Sequence, residues 1–215
     1  MLRNNCGTEK SVSIKAARGR PRLFDREAAL SQAMLLFWRK GFSATSLTDL
    51  TSAMGISPPS LYAAFGSKEN LYAEALNYYQ RIYTETLWAE FDNAPTARDA
   101  VTIYLMKTVQ QFICAKETDY PLGCMLGLSA VGDEGNEILG KLVRDARKQT
   151  LERLESRLER AISEGELSVE KSVGLARFIL AVQGGISLQA RDGASHAELK
   201  AVAIRALSIW DHDRV

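Results

Sequence analysis

Apolar residues recur at helical spacing along most of the chain, and the pattern is interrupted at residues that start or stop helices. Asp25 precedes a first run in which Leu30, Ala33, Met34, Phe37 and Trp38 share a face until Gly41, with Phe42 placed to fold back on the last turn. Ser46 followed by Asp49 is a capping-box pattern, after which Leu47, Leu50 and Met54 fall on one side. Gly55 can take the left-handed conformation that stops a helix, and Ser57-Pro58 restarts one, leading to Leu61 and Phe65. Ser67 opens a long helix to about Asp92, with Leu71, Ala75, Tyr78 and Ile82 as its stripe, and Pro95 marks the break after it. Further helices are predicted over 97–114 (Val101, Tyr104, Leu105, Thr108, Phe112) and 136–164 (Leu139, Leu142, Val143, Ala146, Thr150, Leu154, Leu158, Ala161), separated by a small-residue segment, 121–130. The second of these carries Arg, Lys and Glu at i,i+4 spacing on its other face, which reads as a solvated surface. Two last helices follow over 169–190 and 195–210, and the chain as a whole reads as all-α.

Two short helices meeting across Gly55-Ile56-Ser57 have the grammar of a helix-turn-helix, though a plain αα-corner would use the same residues. In a helix-turn-helix the second helix offers its N-terminal residues to the major groove, so Pro58, Pro59, Ser60, Tyr62 and Ala63 become candidate DNA contacts while Leu61 and Phe65 face inward. Prolines and alanines leave few side chains able to make bidentate base contacts. Specificity would then lean on thymine methyls, DNA shape and the flanking N-terminal arm.

The run Leu61-Tyr62-Ala63-Ala64-Phe65-Gly66-Ser67-Lys68-Glu69-Asn70-Leu71 resembles the LY-x-x-F-x-(S/T)KE-x-L signature of the TetR family of bacterial transcriptional regulators. Ala29-Leu30, Ala33, Phe37, Gly41-Phe42, Thr45-Ser46 and Leu50 also stand where that family's first two helices have theirs. The match covers residues 24–83 and is weak beyond. It implies an N-terminal three-helix helix-turn-helix DNA-binding domain over 24–83 and a larger C-terminal helical domain for ligand binding and dimerisation over 84–215. It further implies phosphate contacts at Tyr62 and Lys68, and contacts to the DNA backbone or a base edge at Ser46 and Thr48.

Charge is distributed unevenly behind a formal net charge of +1. Residues 1–22 hold Arg3, Lys10, Lys15, Arg18, Arg20 and Arg22 against Glu9, whereas 84–215 carry sixteen basic and twenty acidic residues. The polar, aperiodic 1–22 segment is expected to be a disordered basic arm. Within it Arg18-Gly19-Arg20-Pro21-Arg22 reads as an AT-hook core suited to a narrow minor groove, or else as a flexible lead-in. A cationic arm beside a reading head fits a double-stranded DNA operator as partner, through counterion release at the phosphates.

The last two helices bring Leu175, Phe178, Ile179, Val182, Ile186 and Leu188 together with Leu199, Val202, Ile204, Leu207 and Trp210, more apolar positions than one buried face requires. Either they are central to the monomer or they meet a second copy, and the resemblance implies a homodimer through these two helices. The expected effector is a small-molecule inducer, with Trp88, Tyr104, Cys124, Met125 and Gln183 as candidate lining residues. Cys124 lies in a Gly-Cys-Met-Leu segment resembling that of TetR-like sensors of electrophiles or hypochlorite, which keeps a redox or electrophile switch open beside reversible ligand binding. The nearest cations in the chain, Lys116 and Lys141, are distant, and a cysteine among Leu, Met and Gly is also an ordinary small hydrophobe.

Three cysteines at unpaired spacing and two histidines, His196 and His212, give no disulfide framework, no metal-ligand pattern and no base for a catalytic set. No cofactor is implied and an enzyme is not expected. Without an apolar leader or a run of 18 apolar residues, the expectation is a cytoplasmic protein with no membrane partner. The sequence thus reads as a regulator, more a repressor than an activator, released from a palindromic operator by its inducer.

Overall fold

The computed structural model describes residues 25–117, 120–132 and 134–213. The described residues fold as helices joined by short turns and, before residue 137, by a longer loop, and the local signals account for many helix ends. Asp25 accepts a bond from the Ala28 N–H (3.0 Å) to start α1 (Arg26–Lys40). Ser46 and Asp49 exchange side-chain and backbone bonds across the first turn of α2 (Leu47–Met54), and Gly55 ends that helix in the left-handed conformation at φ +65°. Ser57 caps α3 (Pro58–Phe65), where Pro58 has no N–H to leave unpaired. Ser67 caps α4 (Lys68–Asp92).

Helix α5 (Ala97–Glu117) runs past the predicted end at 114. Asn136 caps α6 (Glu137–Ser163), its Oδ1 accepting from the Leu139 N–H at 3.0 Å. The helix expected over 169–190 is two: a single turn, α7 (Val169–Ser172), and α8 (Leu175–Arg191). The break lies at Gly174, whose φ of +73° is a conformation that a residue with a Cβ adopts at a cost. Helix α9 (His196–Leu207) follows and tightens into a 3-10 turn, Ser208–Asp213. The stretch Val169–Arg191 has the length and mean hydropathy (1.3) of a membrane span. Its interruption at Gly174 and the packing of α8 on α5, α6 and α9 are those of a core helix in a globular fold.

Two apolar cores organise the molecule. The first joins Leu30, Met34, Phe37 and Trp38 of α1 to Leu50, Leu61 and Phe65, and to Leu71, Tyr72 and Leu76 of α4. Tyr72 meets Phe37 and Phe42 edge to face, with ring centroids 5.1 and 5.3 Å apart. The second gathers Phe91, Val101, Tyr104, Leu105, Leu154, Leu158, Ile179, Ile186 and Leu199. Both long helices take part in both: α4 passes from Leu71 in the first to Phe91 in the second, and α6 from Leu139 to Leu158. Leu50 and Leu61 are fully buried, so truncating either to alanine would remove about 2–5 kcal/mol from the fold.

The charged face of α6 is more than a solvated surface. Arg157 is buried, 3.7 Å from Glu166, whose other oxygen accepts the Ala97 N–H (2.7 Å) that opens α5. Arg153 pairs with Asp92, tying α6 to the end of α4. Arg147 belongs to the site described next.

Candidate nucleic-acid interface and effector cavity

On the first three helices, Ser46, Thr48, Pro58, Pro59, Ser60, Tyr62 and Ala63 are all exposed, whereas Leu61 and Phe65 are buried. Every described residue that the sequence put forward as a DNA contact from α2 and α3 is thus open to solvent. Ser46 accepts the Asp49 N–H at 3.0 Å and keeps its own hydroxyl proton for an acceptor such as a phosphate. Lys68 is half-buried at the start of α4, its Nζ 4.3 Å from the centre of the Phe42 ring. Partial burial holds its pKa below the usual lysine value, while Glu69 and Glu134 pull the other way. Arg18, Arg20 and Arg22 lie outside the described residues.

A cavity of about 300 Å³ opens at the seam between the two cores. Helix α4 supplies Tyr79, Leu87 and Trp88; α5 supplies Tyr104, Thr108 and Gln111; α8 supplies Leu180, Gln183 and Gly184. Trp88 and Tyr104 stack with ring centroids 5.4 Å apart. Burial drives the Tyr104 phenol well above its ordinary pKa, with nearby Cys124 acting in the same direction, so it stays protonated. Cys124 lines the wall, where its Sγ accepts from the Tyr79 hydroxyl (3.5 Å) and the Gly127 N–H (3.4 Å). Of the residues proposed for the lining, Trp88, Tyr104, Cys124 and Gln183 stand around this space. Met125 does not: it turns the opposite way and is buried in the first core. Cys124 packs against both cores and lines the cavity between them, whereas Met125 belongs to the first core alone.

The residue that sequence reasoning missed is Arg147 on α6. Its Nε donates to the Leu126 carbonyl at 2.9 Å and its Nη2 to those of Ser129 (2.5 Å) and Gly127 (3.4 Å), so one guanidinium organises the loop that carries Cys124. It also lines the cavity, placing there a cation that spacing had sought at Lys116 or Lys141. A signal was present, since Val143, Arg147, Thr150 and Leu154 follow helical spacing on the flank of the apolar stripe.

The same loop reaches the reading head. The Ser129 hydroxyl lies 2.8 Å from that of Tyr72, and Glu134 accepts from both the N–H (3.3 Å) and the hydroxyl (2.8 Å) of Ser43 in the α1–α2 turn. Gly132 and Gly140 bring loop and α6 into close backbone contact, where a Cβ on Gly140 would stand 2.4 Å from the Gly132 Cα. A separate bond from the end of α8, Arg191 to the Trp38 carbonyl (3.1 Å), fastens the end of α1.

Residues 29–75 match the model for bacterial regulatory proteins of the tetR family. Over nearly its whole length the chain is 33% identical to the HTH-type transcriptional repressor ComR of Escherichia coli (strain K12), with 208 aligned residues covering 94% of this chain and 97% of ComR. The chain belongs to the TetR family. A second TetR-like relative in the same organism, the transcriptional repressor BdcR, is 33% identical over 91% of this chain and 94% of BdcR. Among solved structures, a cysteine mutant of the TetR family regulator CifR complexed with 26bp double-strand operator DNA is 39% identical, covers 89% of this chain and all of its own, and superposes with a TM-score of 0.81. The chain is thus a transcriptional regulator of the TetR type, all-α, with a helix-turn-helix at its N-terminal end.

Proposed function

We propose that the protein is a homodimeric repressor that holds a palindromic operator and lets it go when a small molecule fills the cavity between α4, α5, α6 and α8. The cavity carries this reading: its wall includes Leu126 and Gly127 of the loop whose far end holds Ser43 of the reading head, and Arg147 of α6, which grips that loop. A ligand that moves Arg147 shifts the support of the helix-turn-helix, and release requires it to favour a head spacing that no longer fits two successive major grooves. The repressors ComR and BdcR support the sign of regulation. The outer faces of α8 and α9, where Phe178, Leu188 and Ile204 remain exposed, support a subunit contact through these two helices. In this scheme the arm 1–22 adds Arg18, Arg20 and Arg22 to the DNA contacts of 24–83, the body 84–215 binds ligand and partner, and the protein acts in the cytoplasm.

A second reading rests on Cys124, whose sulfur stands on the cavity wall within reach of an entering molecule. There, covalent modification would replace reversible occupancy as the trigger. One experiment separates the two. Footprinting of the DNA beside the protein's own gene defines the operator, and release from it is then followed in wild type and in Cys124→Ser. Reversible binding predicts that Cys124→Ser responds to the inducer as the wild type does. Release by a mild oxidant that is lost in Cys124→Ser and reversed by dithiothreitol would instead establish the thiol as the trigger, and failure to protect any palindrome would defeat both.

A further inference from the structure

The polar groups around the cavity are mismatched in a way that specifies what it takes. Gln111 lines the cavity, and its Nε2 is buried without a hydrogen-bond partner. A buried donor left unpaired is costly, and a ligand acceptor would relieve that cost. The two threonines cannot serve, because Thr108 donates to the Tyr104 carbonyl (2.8 Å) and Thr150 to that of Ala146 (3.3 Å). Arg147 is the charged residue among the described lining residues, and no carboxylate stands with it. Its Nε and Nη2 are held by loop carbonyls, which leaves Nη1 as a further donor. Gln183 adds a second amide, and the rest of the described wall is Leu87, Leu126, Leu180, Cys124, two glycines and three aromatic rings.

We infer that the cavity binds a compact apolar molecule carrying an oxygen acceptor, met by Gln111 Nε2 and the Arg147 guanidinium, and that it rejects cations. The inference rests on reading this cavity as the effector site. A cavity of about 300 Å³ lies at the small end of ligand pockets, which suits a single ring with a short substituent. The acceptor can belong to a neutral carbonyl or to a carboxylate. Both present the same oxygen to the same donors.

Four probes of one shape test this on the full-length protein by calorimetric titration and thermal shift: acetophenone, benzoate, ethylbenzene and benzylammonium. The expected result is that acetophenone or benzoate binds at least tenfold more tightly than ethylbenzene, with benzylammonium weakest. Whichever oxygen probe is tighter identifies the acceptor as carbonyl or carboxylate. Gln111→Leu, nearly the same size, should shrink the advantage of acetophenone over ethylbenzene to less than threefold. Gln111→Glu, which exchanges a donor for an anion, should admit benzylammonium. Equal binding of ethylbenzene or benzylammonium, no binding by any probe, or unchanged preferences in both variants would overturn the inference. Operator release is read separately: an oxygen probe that binds with the expected preference but leaves the operator occupied supports the ligand chemistry and counts against the effector role.

Discussion

Lys68 shows what a single residue contributes and how much of that can be read in a sequence. The family signature places it, and the structure adds that its ammonium rests on the Phe42 ring close to Glu134, the carboxylate that holds Ser43. A cation directed at a phosphate contributes about one unit to the salt dependence of binding. Lys68→Ala should therefore weaken binding to specific and random duplexes alike and lower the slope of log K against log salt by about one, measured by anisotropy titration at several salt concentrations. Tyr62→Phe should weaken both duplexes equally without changing that slope. The neighbours Cys124 and Met125 show the limit of reading at this scale. In a turn no period assigns alternate side chains to faces, so one lines the cavity and the other fills a core. Arg147 was hidden for a different reason: on a helix rich in Arg and Glu, nothing in the residue type separates a guanidinium that grips three carbonyls from one in water.

Helix starts and stops near the reading head were legible because each uses a local device, and the Ser46–Asp49 box, Ser57-Pro58 and Ser67 act over three or four residues. The break before α8 was not. Val169 and Val173 before Gly174 keep helical spacing with the apolar residues after it, so the pattern reads as one helix while the backbone turns left-handed. Gly174→Ala should cost about 1–2 kcal/mol, the penalty for placing a Cβ in that conformation, and lower the melting temperature by a few degrees. An unchanged melting temperature would mean that α7 and α8 fuse freely into one helix. The surplus of apolar positions at the C-terminal end divides in the fold: Leu175, Ile179, Ile186, Leu199 and Leu207 are buried, Val182, Val202 and Trp210 are partly buried, and Phe178, Leu188 and Ile204 are exposed. Phe178→Arg or Ile204→Glu should give a monomer by analytical ultracentrifugation with little change in helix content. A dimer that survives both changes would move the subunit contact elsewhere.

Across the whole molecule, the division into reading head and body was legible from charge and motif, but the seam between them was not, because it is built from contacts between residues far apart in the chain. Ser43 with Glu134 and Trp38 with Arg191 are such pairs, and they brace the head at two separate points. Two such bonds restrain rotation of the head on its body until something moves the loop that makes one of them. In a dimer, the twist between the two heads would then be fixed before any DNA is met, and the operator must conform to it. One base pair inserted at the centre of a palindrome adds about 3.4 Å and turns one half-site by roughly 34° about the duplex axis. A protein braced this way has little slack to absorb that rotation, so the insertion should lower affinity at least tenfold, while Glu134→Ala, with one brace gone, should bind the original operator less tightly and discriminate less between the two spacings. In an intergenic region, the spacing between half-sites would then distinguish true sites from chance palindromes as sharply as the bases do.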